Sequence, residues 1–513
     1  MLCNSPKSQV TDSKLHLNSE RSYSSSQNTL IAQTGNIDSL PTETLGSIFK
    51  HVYMKSRVPP YGFWLNVVLD FEIEDKVDVE TIWADENLLN PLLFPKPIHA
   101  VCRRWKAIAE SLPMFWTRIV AFVDSHPTPL SKIESYIKRS RDLPLDVLIM
   151  RRPDTYSEVD PDEYKRCRDV IEILLPHLSR CQTISFDVIG SSSLPSISDD
   201  FYGKAPVLKK LLLNCRVDDG VIPGGPSRTP RISNEPFFSP ELSDLSVDGR
   251  NFVHACLELP SWIKSLHESR PSLDIHTFTP FLPKDSQFTL SDFLRCLEGF
   301  SSIPELSLSS IEFHCDDSGP PSNLVIQATA IKLKGLGHQL VSSILQYADT
   351  MESLCMSHCP MWSLPYGFSA NFLMVDQVDH DENLGAFLSC WSGEDLHIAN
   401  CPGLDDDRLA AIGEMIDVPM RYMDIYGCSG FSSAGLRYMV KMLNKRVAEL
   451  HRDHYDEREG IALDNLEIQG HDYAMGPEEE RWFRKNGARV FSWNGSRDRR
   501  IHESFKLSRR HVD

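Results

Sequence analysis

A repeat near the carboxyl end of the chain places the strongest constraint on its fold. The segment from Leu396 to Ile412 aligns with the segment from Met423 to Met439 at a shift of 27 residues, and their apolar and cysteine positions coincide. Each copy has two apolar residues at a spacing of two, then a cysteine, then two apolar residues at a spacing of three. These spacings predict a short strand, a small buried site at a bend, and one face of a helix.

Weaker copies of the apolar pair occur earlier and later in the chain. Their spacing is irregular, so some units are predicted to carry insertions and others to lack a recognisable pair. The pairs are Ile184 and Phe186, Leu211 and Leu213, Leu245 and Val247, Leu306 and Leu308, Ile331 and Leu333, Leu354 and Met356 (followed by Cys359), and Leu466 and Ile468.

A single strand and helix of this kind cannot cover its own apolar face. Neighbouring units therefore stack, so that the strands line one concave side of a solenoid as a curved parallel sheet and the helices lie outside. The predicted fold class is α/β, with a small all-α domain in front of this array. A two-layer α/β domain is the alternative architecture.

Two amphipathic helices are predicted near the amino end. The first is predicted within residues 37–52, where Pro41 and Glu43 suit the first turn of a helix. The second is predicted at 98–112 and ends before Pro113. The apolar residues that recur at helical spacing are Leu45, Ile48, Phe49 and Val52 in the first helix, and Ile98, Val101, Cys102, Trp105, Ile108, Ala109 and Leu112 in the second. Phe115 and Trp116 follow and are large enough to close a small helical core.

These segments contain L-P-T-E-T-L-G-S-I-F at residues 40–49 and V-C-R-R-W-K-A-I-A-E-S-L-P-M-F-W at 101–116. In order and in specific residues they resemble the F-box, especially as found in large fungal families. The resemblance covers residues 37–119. The later units resemble the cysteine-containing leucine-rich repeat that often follows an F-box.

The resemblance implies a partner and a set of contact residues. Leu40, Pro41, Leu45 and Ile48 would form the first part of a surface that inserts into the Skp-type adaptor of a cullin ligase, and Val101, Cys102 and Trp105 would supply or support the second part. Each of these residues equally suits the internal core of the helical domain, and for Trp105 core packing is the favoured interpretation. The resemblance implies no catalysis and no cofactor in this chain.

One departure from the F-box pattern concerns residues 53–97, which separate the two helices by more than the usual F-box spacing. The segment is acidic between Asp70 and Glu86 and contains apolar residues from Phe63 to Leu69. It looks like an insertion that either packs on the repeat body or alters adaptor binding.

The outward positions of the predicted strands provide candidate substrate contacts. When Leu396 and Ile398 point inward, the residues between and beside them point out. The candidate substrate-binding residues on this basis are His397, Tyr422, Asp424, Tyr426 and Glu467. The alternative interpretation is that they are ordinary solvated strand residues.

Composition excludes several classes of function. No apolar run reaches the length of about 20 residues that a bilayer span needs, and the first residues lack the apolar stretch of a secretory signal. The 13 cysteines contain no C-x-x-C pair, which favours free thiols, mostly buried. A net charge of -18 disfavours nucleic-acid binding and weakly favours basic partners. Location in the cytoplasm, the nucleus or both is expected.

Sequence motifs for catalysis or metal binding are not found. The chain has no nucleophile elbow, Walker loop, zinc-protease helix, dinucleotide-binding turn or EF-hand loop. Cys355, His358 and Cys359 lie close together in sequence, but a tetrahedral zinc site requires a fourth ligand. We therefore predict no metal site and no enzyme activity.

The predicted organisation has four parts. They are a disordered, serine-rich amino-terminal segment at 1–36, an F-box domain at 37–119 with an insertion at about 53–97, a repeat domain at about 130–495, and a basic tail at 496–513. The predicted function is substrate recognition for a cullin-type ubiquitin ligase. The alternative is a repeat scaffold that binds a partner without any ubiquitin-related role, its F-box being degenerate.

Overall fold

The computed structural model describes residues 37–494 apart from 57–94, 157–159, 222–234, 281–287, 314–322, 350, 363, 365, 379–383, 416–419, 451–460 and 472. The α-helices of these residues are α1 (Thr42–Ser56), α2 (Lys96–Val101), α3 (Arg103–Glu110), α4 (Leu130–Ser140), α5 (Glu163–Leu174), α6 (Gly249–Glu258), α7 (Pro260–Ser265), α8 (Leu290–Glu298), α9 (His338–Tyr347), α10 (Leu384–Leu388), α11 (Asp406–Met415), α12 (Ser433–Leu450) and α13 (Pro477–Asn486).

The strands of the same residues are β1 (Arg118–Phe122), β2 (Leu145–Met150), β3 (Cys181–Gly190), β4 (Gly203–Lys204), β5 (Lys210–Val217), β6 (Phe237–Phe238), β7 (Asp244–Asp248), β8 (Ser272–Phe278), β9 (Ile303–Ile311), β10 (Ile326–Lys334), β11 (Ala348–Asp349), β12 (Ser353–Ser357), β13 (Phe368–Ser369), β14 (Phe372–Asp376), β15 (Trp391–Ser392), β16 (Asp395–Ala399), β17 (Tyr422–Tyr426), β18 (Leu463–Gln469) and β19 (Ala488–Asn494).

One parallel sheet of 15 strands organises the described chain. Its order is β1-β2-β3-β5-β7-β8-β9-β10-β12-β14-β16-β17-β18-β19, with β11 beside β10, so each strand on this path pairs with the strands that precede and follow it. Short pairs form between β4 and β6 and between β13 and β15. The fold is therefore mixed α/β with a large parallel sheet, as the fold-class prediction states at this level.

The predicted apolar pairs are confirmed as strand residues of this sheet. Leu396 lies opposite Met423 and Ile398 lies opposite Ile425, so the shift of 27 residues is the step from one strand to the next. The weaker copies fall in β3, β5, β7, β9, β10, β12 and β18. The sequence interpretation missed the strands β1, β2, β8, β11, β14 and β19 of the same sheet.

The two faces of the sheet differ in burial. Alternate residues of most strands are buried, and they form a continuous hydrophobic core with the apolar faces of the helices, extending from Ile119 to Phe491. The intervening residues are mostly half-buried, as in β16 to β18. The helices thus cover one face, and the other presents side chains outward.

A left-handed backbone residue recurs at or just after the carboxyl end of eight successive strands of the main sheet. In the last six of these strands, β10 to β18, its amide extends the ladder by one bond, as where the Gly427 N–H donates to the Gln469 carbonyl at 2.8 Å and the Asn400 N–H to the Tyr426 carbonyl at 2.7 Å. The residues are Thr277, Ser310, Gly335, His358, Gln377, Asn400, Gly427 and Gly470. The chain turns away from the sheet at the same point in each unit.

The cysteines of the repeat lie at this turn, as predicted from their small size. Cys359, Cys401 and Cys428 are all buried, and the Cys401 N–H lies 3.3 Å from the Cys428 sulfur of the next unit. The 11 cysteines in the described part of the chain are free thiols, and seven of them are buried.

The amino-terminal helices differ from the prediction in one respect. The single helix expected at 98–112 is wrong, because the chain breaks at Cys102 into α2 and α3. Cys102 is extended, with φ -159° and ψ 169°, and its sulfur accepts a hydrogen bond from the Trp105 N–H at 3.5 Å. A residue that caps a helix in this way cannot itself be helical.

The helices α1, α2 and α3 enclose a small core of their own, which we call the helical module. Its interior is Leu45, Phe49, Tyr53, Ile98, Ile108, Ala109, Phe115 and Trp116. The Phe49 and Trp105 rings lie 4.8 Å apart between centroids, and Arg104 donates a hydrogen bond to the Leu40 carbonyl. Sequence alone anticipated the aromatic closure by Phe115 and Trp116.

Trp116 also joins the helical module to the sheet. Its ring packs edge-on against Tyr136 of α4 at 4.9 Å, and its indole N–H donates to the Ala109 carbonyl at 3.2 Å. The Arg139 guanidinium lies 4.4 Å above the same ring and forms an ion pair with Glu110 at 3.0 Å. The sheet begins at Arg118, immediately after this junction and before the start at about 130 given for the repeat domain.

Several predicted segments lie outside the described residues. These are the amino-terminal segment 1–36, most of the insertion at about 53–97, and the basic tail 496–513. Within the described part of the chain, no helix has the length and apolar character needed to cross a bilayer.

Candidate binding surfaces

The helical module presents apolar side chains on its outside as well as its inside. In α1 the interior residues are Leu45, Phe49 and Tyr53, whereas Ile48 and Val52 are 39% and 47% exposed. In α2, Val101 is 56% exposed. These large apolar side chains are exposed although the core of the module is filled, which makes them a candidate binding surface.

The predicted adaptor residues divide between this surface and the core. Ile48 and Val101 are exposed, Pro41 is exposed at the start of α1, and Leu40 is half-buried beside Arg104. Leu45 has no exposed surface, so it supports α1 from inside rather than offering the direct contact expected of it.

Cys102 and Trp105 have structural roles. Cys102 caps α3, and Trp105 is half-buried against Phe49, in agreement with the core packing favoured for it from sequence. The outward residue of this stretch is Val101. Of the three residues predicted for the second part of the surface, only Val101 is exposed.

A second candidate surface is the outward face of β14, β16, β17 and β18, which we call the carboxyl-terminal strand face. Two of the five residues predicted to bind substrate, His397 and Asp424, contact each other on this face. His397 Nδ1 lies 3.1 Å from Asp424 Oδ2 on the neighbouring strand, and each side chain is about one-fifth exposed. The Phe372 ring lies 4.7 Å from the His397 ring.

The other three predicted residues lie around this pair. Tyr422 and Tyr426 are half-buried on β17, two residues before and after Asp424. Glu467 lies opposite Asp424 in the β17–β18 register and accepts a hydrogen bond from Gln469. The sheet thus brings all five predicted residues onto three adjacent strands.

Sequence reasoning missed the contribution of β14 to this face. Phe372, Met374 and Asp376 are its outward residues, and Asp376 Oδ1 accepts a hydrogen bond from Asn400 Nδ2 at 2.9 Å. The sequence feature that could have identified β14 is the apolar pair Leu373 and Val375, which lies opposite Leu396 and Ile398. Because Phe372 and Met374 are also apolar, the strand lacks the polar alternation that marks its neighbours.

The thiols of Cys355 and Cys181 are poorly suited to nucleophilic chemistry. Burial raises the pKa of Cys355 to about 11 and that of Cys181 to about 12. A thiol with so high a pKa carries little of the thiolate that reacts. Among the described residues, no three His, Cys, Asp or Glu side chains are grouped as they would be to hold a metal ion, and Cys355, His358 and Cys359 are no exception.

Comparison of the sequence with protein-family models and with curated proteins found no match.

Proposed function

We infer that this chain is the substrate-recognition subunit of a cullin-type ubiquitin ligase. The helical module, which resembles an F-box, would bind a Skp-type adaptor and through it the cullin scaffold. The strand face, which resembles the binding side of a leucine-rich-repeat solenoid, would hold an unidentified substrate protein. The order of the strands along the sheet supports the repeat interpretation, because each unit neighbours only the units next to it in sequence.

The observation that carries this proposal is the exposure of Ile48, Val52 and Val101 on a module with a completed core. Ile48 and Val52 lie one turn apart on α1 and so form a continuous apolar stripe. A helix that presents such a stripe is suited to a hydrophobic groove on a partner, where a few desolvated apolar anchors supply most of the binding energy.

No chemical step is assigned to this chain. Ubiquitin would be transferred by enzymes recruited elsewhere on the scaffold, and this subunit would contribute proximity. Holding the substrate close raises the effective concentration of its lysines near the enzyme that carries ubiquitin.

The test is binding of the full chain to a purified Skp-type adaptor. The variant Ile48→Asp/Val101→Asp places charge on the proposed surface, and we expect it to weaken adaptor binding by at least about tenfold, since each anchor is desolvated on binding. Met54→Asp is the control, because Met54 is 50% exposed on the same helix but roughly 120° around it from Ile48. Circular dichroism checks that all three proteins are folded.

Adaptor binding that is lost in the double variant and retained in Met54→Asp would support the ligase role. If folded wild type does not bind the adaptor, the ligase role is contradicted. The repeat scaffold with a degenerate F-box then becomes the better account.

A further inference from the structure

We propose that a cavity between β11 and β13 binds a short extended segment of a protein partner, which enters as an added strand and turns one aliphatic side chain inward. The cavity has a volume of about 460 Å³. One wall is the end of α9 together with β11, and the other is β13 with the two residues before it. We call this space the rim cavity, because β11 and β13 directly precede β12 and β14 and so lie at the amino-terminal rim of the sheet.

The rim cavity results from a short repeat unit. Ser353 of β12 lies opposite Phe372 of β14, which is a step of 19 residues, whereas the next step, from Phe372 to Asp395, is 23 residues. The described residues between β12 and β14 form no helix, although α9 precedes β12 and α10 precedes β16. The last turn of α9 therefore has no helix beside it in the following unit, and a space remains.

The connection between β12 and β14 covers the earlier turns of α9 instead. The Trp362 ring lies 3.7 Å from the ring of His338, the first residue of α9. The Tyr366 hydroxyl lies 3.1 Å from Ser342 Oγ in the middle of the helix. Leu345, in the last turn, lines the cavity. Tyr366 thus joins the two walls at one end and leaves the rest of the space unfilled.

The strands at this level of the neighbouring units are paired. Ala348 of β11 lies opposite Ile326 at the start of β10, and Phe368 of β13 lies opposite Trp391 of β15. In the described chain β11 and β13 do not pair with each other, although β12 and β14, which follow them, are paired. The rim cavity therefore occupies the place of a missing strand pair, and its neighbours show that this level of the unit accepts parallel strands.

β13 presents backbone groups to the cavity. The N–H groups of Phe368 and Ala370 donate to the Cys390 and Ser392 carbonyls on the β15 side, at 2.8 and 3.3 Å. Successive residues of a strand direct their backbone groups to opposite sides, so the N–H and C=O of Ser369 point toward β11. Within the described part of the chain, neither group has a hydrogen-bond partner. Such an edge is what an added strand pairs with.

The volume of the cavity fits a short strand. A strand occupies about 4.8 Å between its neighbours and about 10 Å between layers, and it rises about 3.3 Å per residue, which gives about 160 Å³ per residue. The rim cavity therefore has room for about three residues of extended chain. A helix, with a diameter of about 10–12 Å, would need more space.

The lining of the cavity sets the side chains of the bound segment. Leu345, Met351 and Phe368 are 3%, 8% and 6% exposed and form an apolar floor, whereas Gly367 and Ser369 are exposed at the mouth. Side chains of a strand alternate between its faces, so a central residue would meet the floor while its two neighbours face water. The matching sequence is an aliphatic residue between two polar ones.

The experiment measures binding of the peptide acetyl-Ser-Thr-Ser-Ile-Ser-Thr-Ser-amide to the full chain by saturation-transfer NMR, which detects weak ligands of a large protein. We expect the strongest transfer at the isoleucine methyl groups. Amide hydrogen exchange should also slow in the segment that contains Ser369, because its N–H gains an acceptor from the peptide backbone. Titration of the transfer signal gives the affinity.

One variant protein and two variant peptides separate the parts of the proposal. Ala348→Phe places a large side chain on the wall of the cavity and should weaken binding by about tenfold or more. A peptide that is N-methylated at isoleucine and at both flanking serines keeps its side chains but loses its N–H donors. A peptide with aspartate in place of isoleucine keeps its backbone. Each of these peptides should also bind at least about tenfold more weakly.

Ala100→Phe is the matched control. Ala100 is an exposed alanine on α2 of the helical module, at the β1 end of the sheet, and the same substitution there should alter peptide affinity by less than about twofold. Circular dichroism and urea denaturation check that both variants are folded. The two variant peptides test the site without changing the protein, so they decide the matter if Ala348→Phe does not fold.

Several results would overturn the proposal. They are the absence of saturation transfer from folded wild type, unchanged affinity in folded Ala348→Phe, and equal binding of the N-methylated peptide, which would show that the site recognises a side chain alone. Concentration-dependent dimerisation that Ala348→Phe abolishes would identify a second copy of this chain as the occupant and would also count against it. The inference goes beyond the proposed function, and no outcome of this experiment bears on the ligase role.

Discussion

The left-handed residue at the end of eight successive strands shows how a single backbone angle shapes the turn that follows a strand. Gly335, Gly427 and Gly470 adopt it without strain, whereas Gln377 and His358 adopt it with a side chain present. For a residue other than glycine this conformation costs about 1–2 kcal/mol. The ladder bond that the turn preserves, repeated in successive units, offsets part of that cost.

Gly427 and Gly335 allow the strain of this turn to be separated from contact with the next unit. Their φ values are +62° and +61°, but a Cβ at Gly427 would lie 2.6 Å from Asn400 Oδ1, whereas at Gly335 the nearest atom would be 4.0 Å away. We expect Gly335→Ala to cost about 1 kcal/mol and Gly427→Ala about 2–3 kcal/mol, because the second change also displaces Asn400 from Asp376. Urea denaturation checks this order, and equal losses would contradict it.

His276 gives the sheet a dependence on pH. It lies on β8 with Nε2 3.1 Å from Asn214 Oδ1, and burial lowers its pKa below the usual 6.5 although Asp274 acts in the opposite direction. As pH falls through 6.5, the unfolded chain takes up a proton that the folded chain resists, so the free energy of unfolding falls until the pH is below the folded pKa.

We therefore expect wild type to lose more stability than His276→Gln as the pH is lowered from 7.5 to the folded pKa. Urea denaturation at several pH values measures the difference between the two proteins, in which the shared contributions of other histidines cancel. A difference that stays constant with pH would rule out burial of a neutral His276.

At the scale of elements, the sequence predicted strands best where polar and apolar residues alternate. Leu396 and Ile398, with His397 between them, are a clear example, and the register confirms them. The strand β14 was missed because Phe372 and Met374 are apolar on its outward side. The same two apolar residues make β14 part of the candidate surface. Polar–apolar alternation therefore failed to predict a strand whose outward side chains are not the usual polar ones.

The helical module shows a different limit of sequence reasoning. The apolar spacing of 98–112 is continuous, so it predicts one helix, and periodicity alone does not register the break at Cys102. Periodicity also cannot tell which side of α1 is covered. Leu45 and Ile48 belong to the same apolar stripe in sequence, yet packing buries the first and leaves the second exposed.

Beyond the helical module, the described residues form a sheet in which neighbouring strands are also neighbours in sequence. Each main strand pairs with the strands before and after it on the path, with β11 added beside β10, and the hydrophobic core follows the same order. Stability in such an arrangement is close to a sum of local terms and interfaces between adjacent units. Damage at one end should therefore weaken mainly that end.

Leu466→Ala tests this expectation. Leu466 is fully buried on β18 between Met423 and Phe491, and its truncation should cost about 2–5 kcal/mol through lost contacts and the cavity left behind. We expect hydrogen exchange to accelerate in β17 to β19 and to stay unchanged in β1 to β3, with adaptor binding retained. Leu211→Ala is the matched control, because Leu211 is equally buried on β5 between Ile184 and Leu245 and should give the opposite distribution. If both variants accelerate exchange equally in all strands, the sheet unfolds as one cooperative unit and the additive description is wrong.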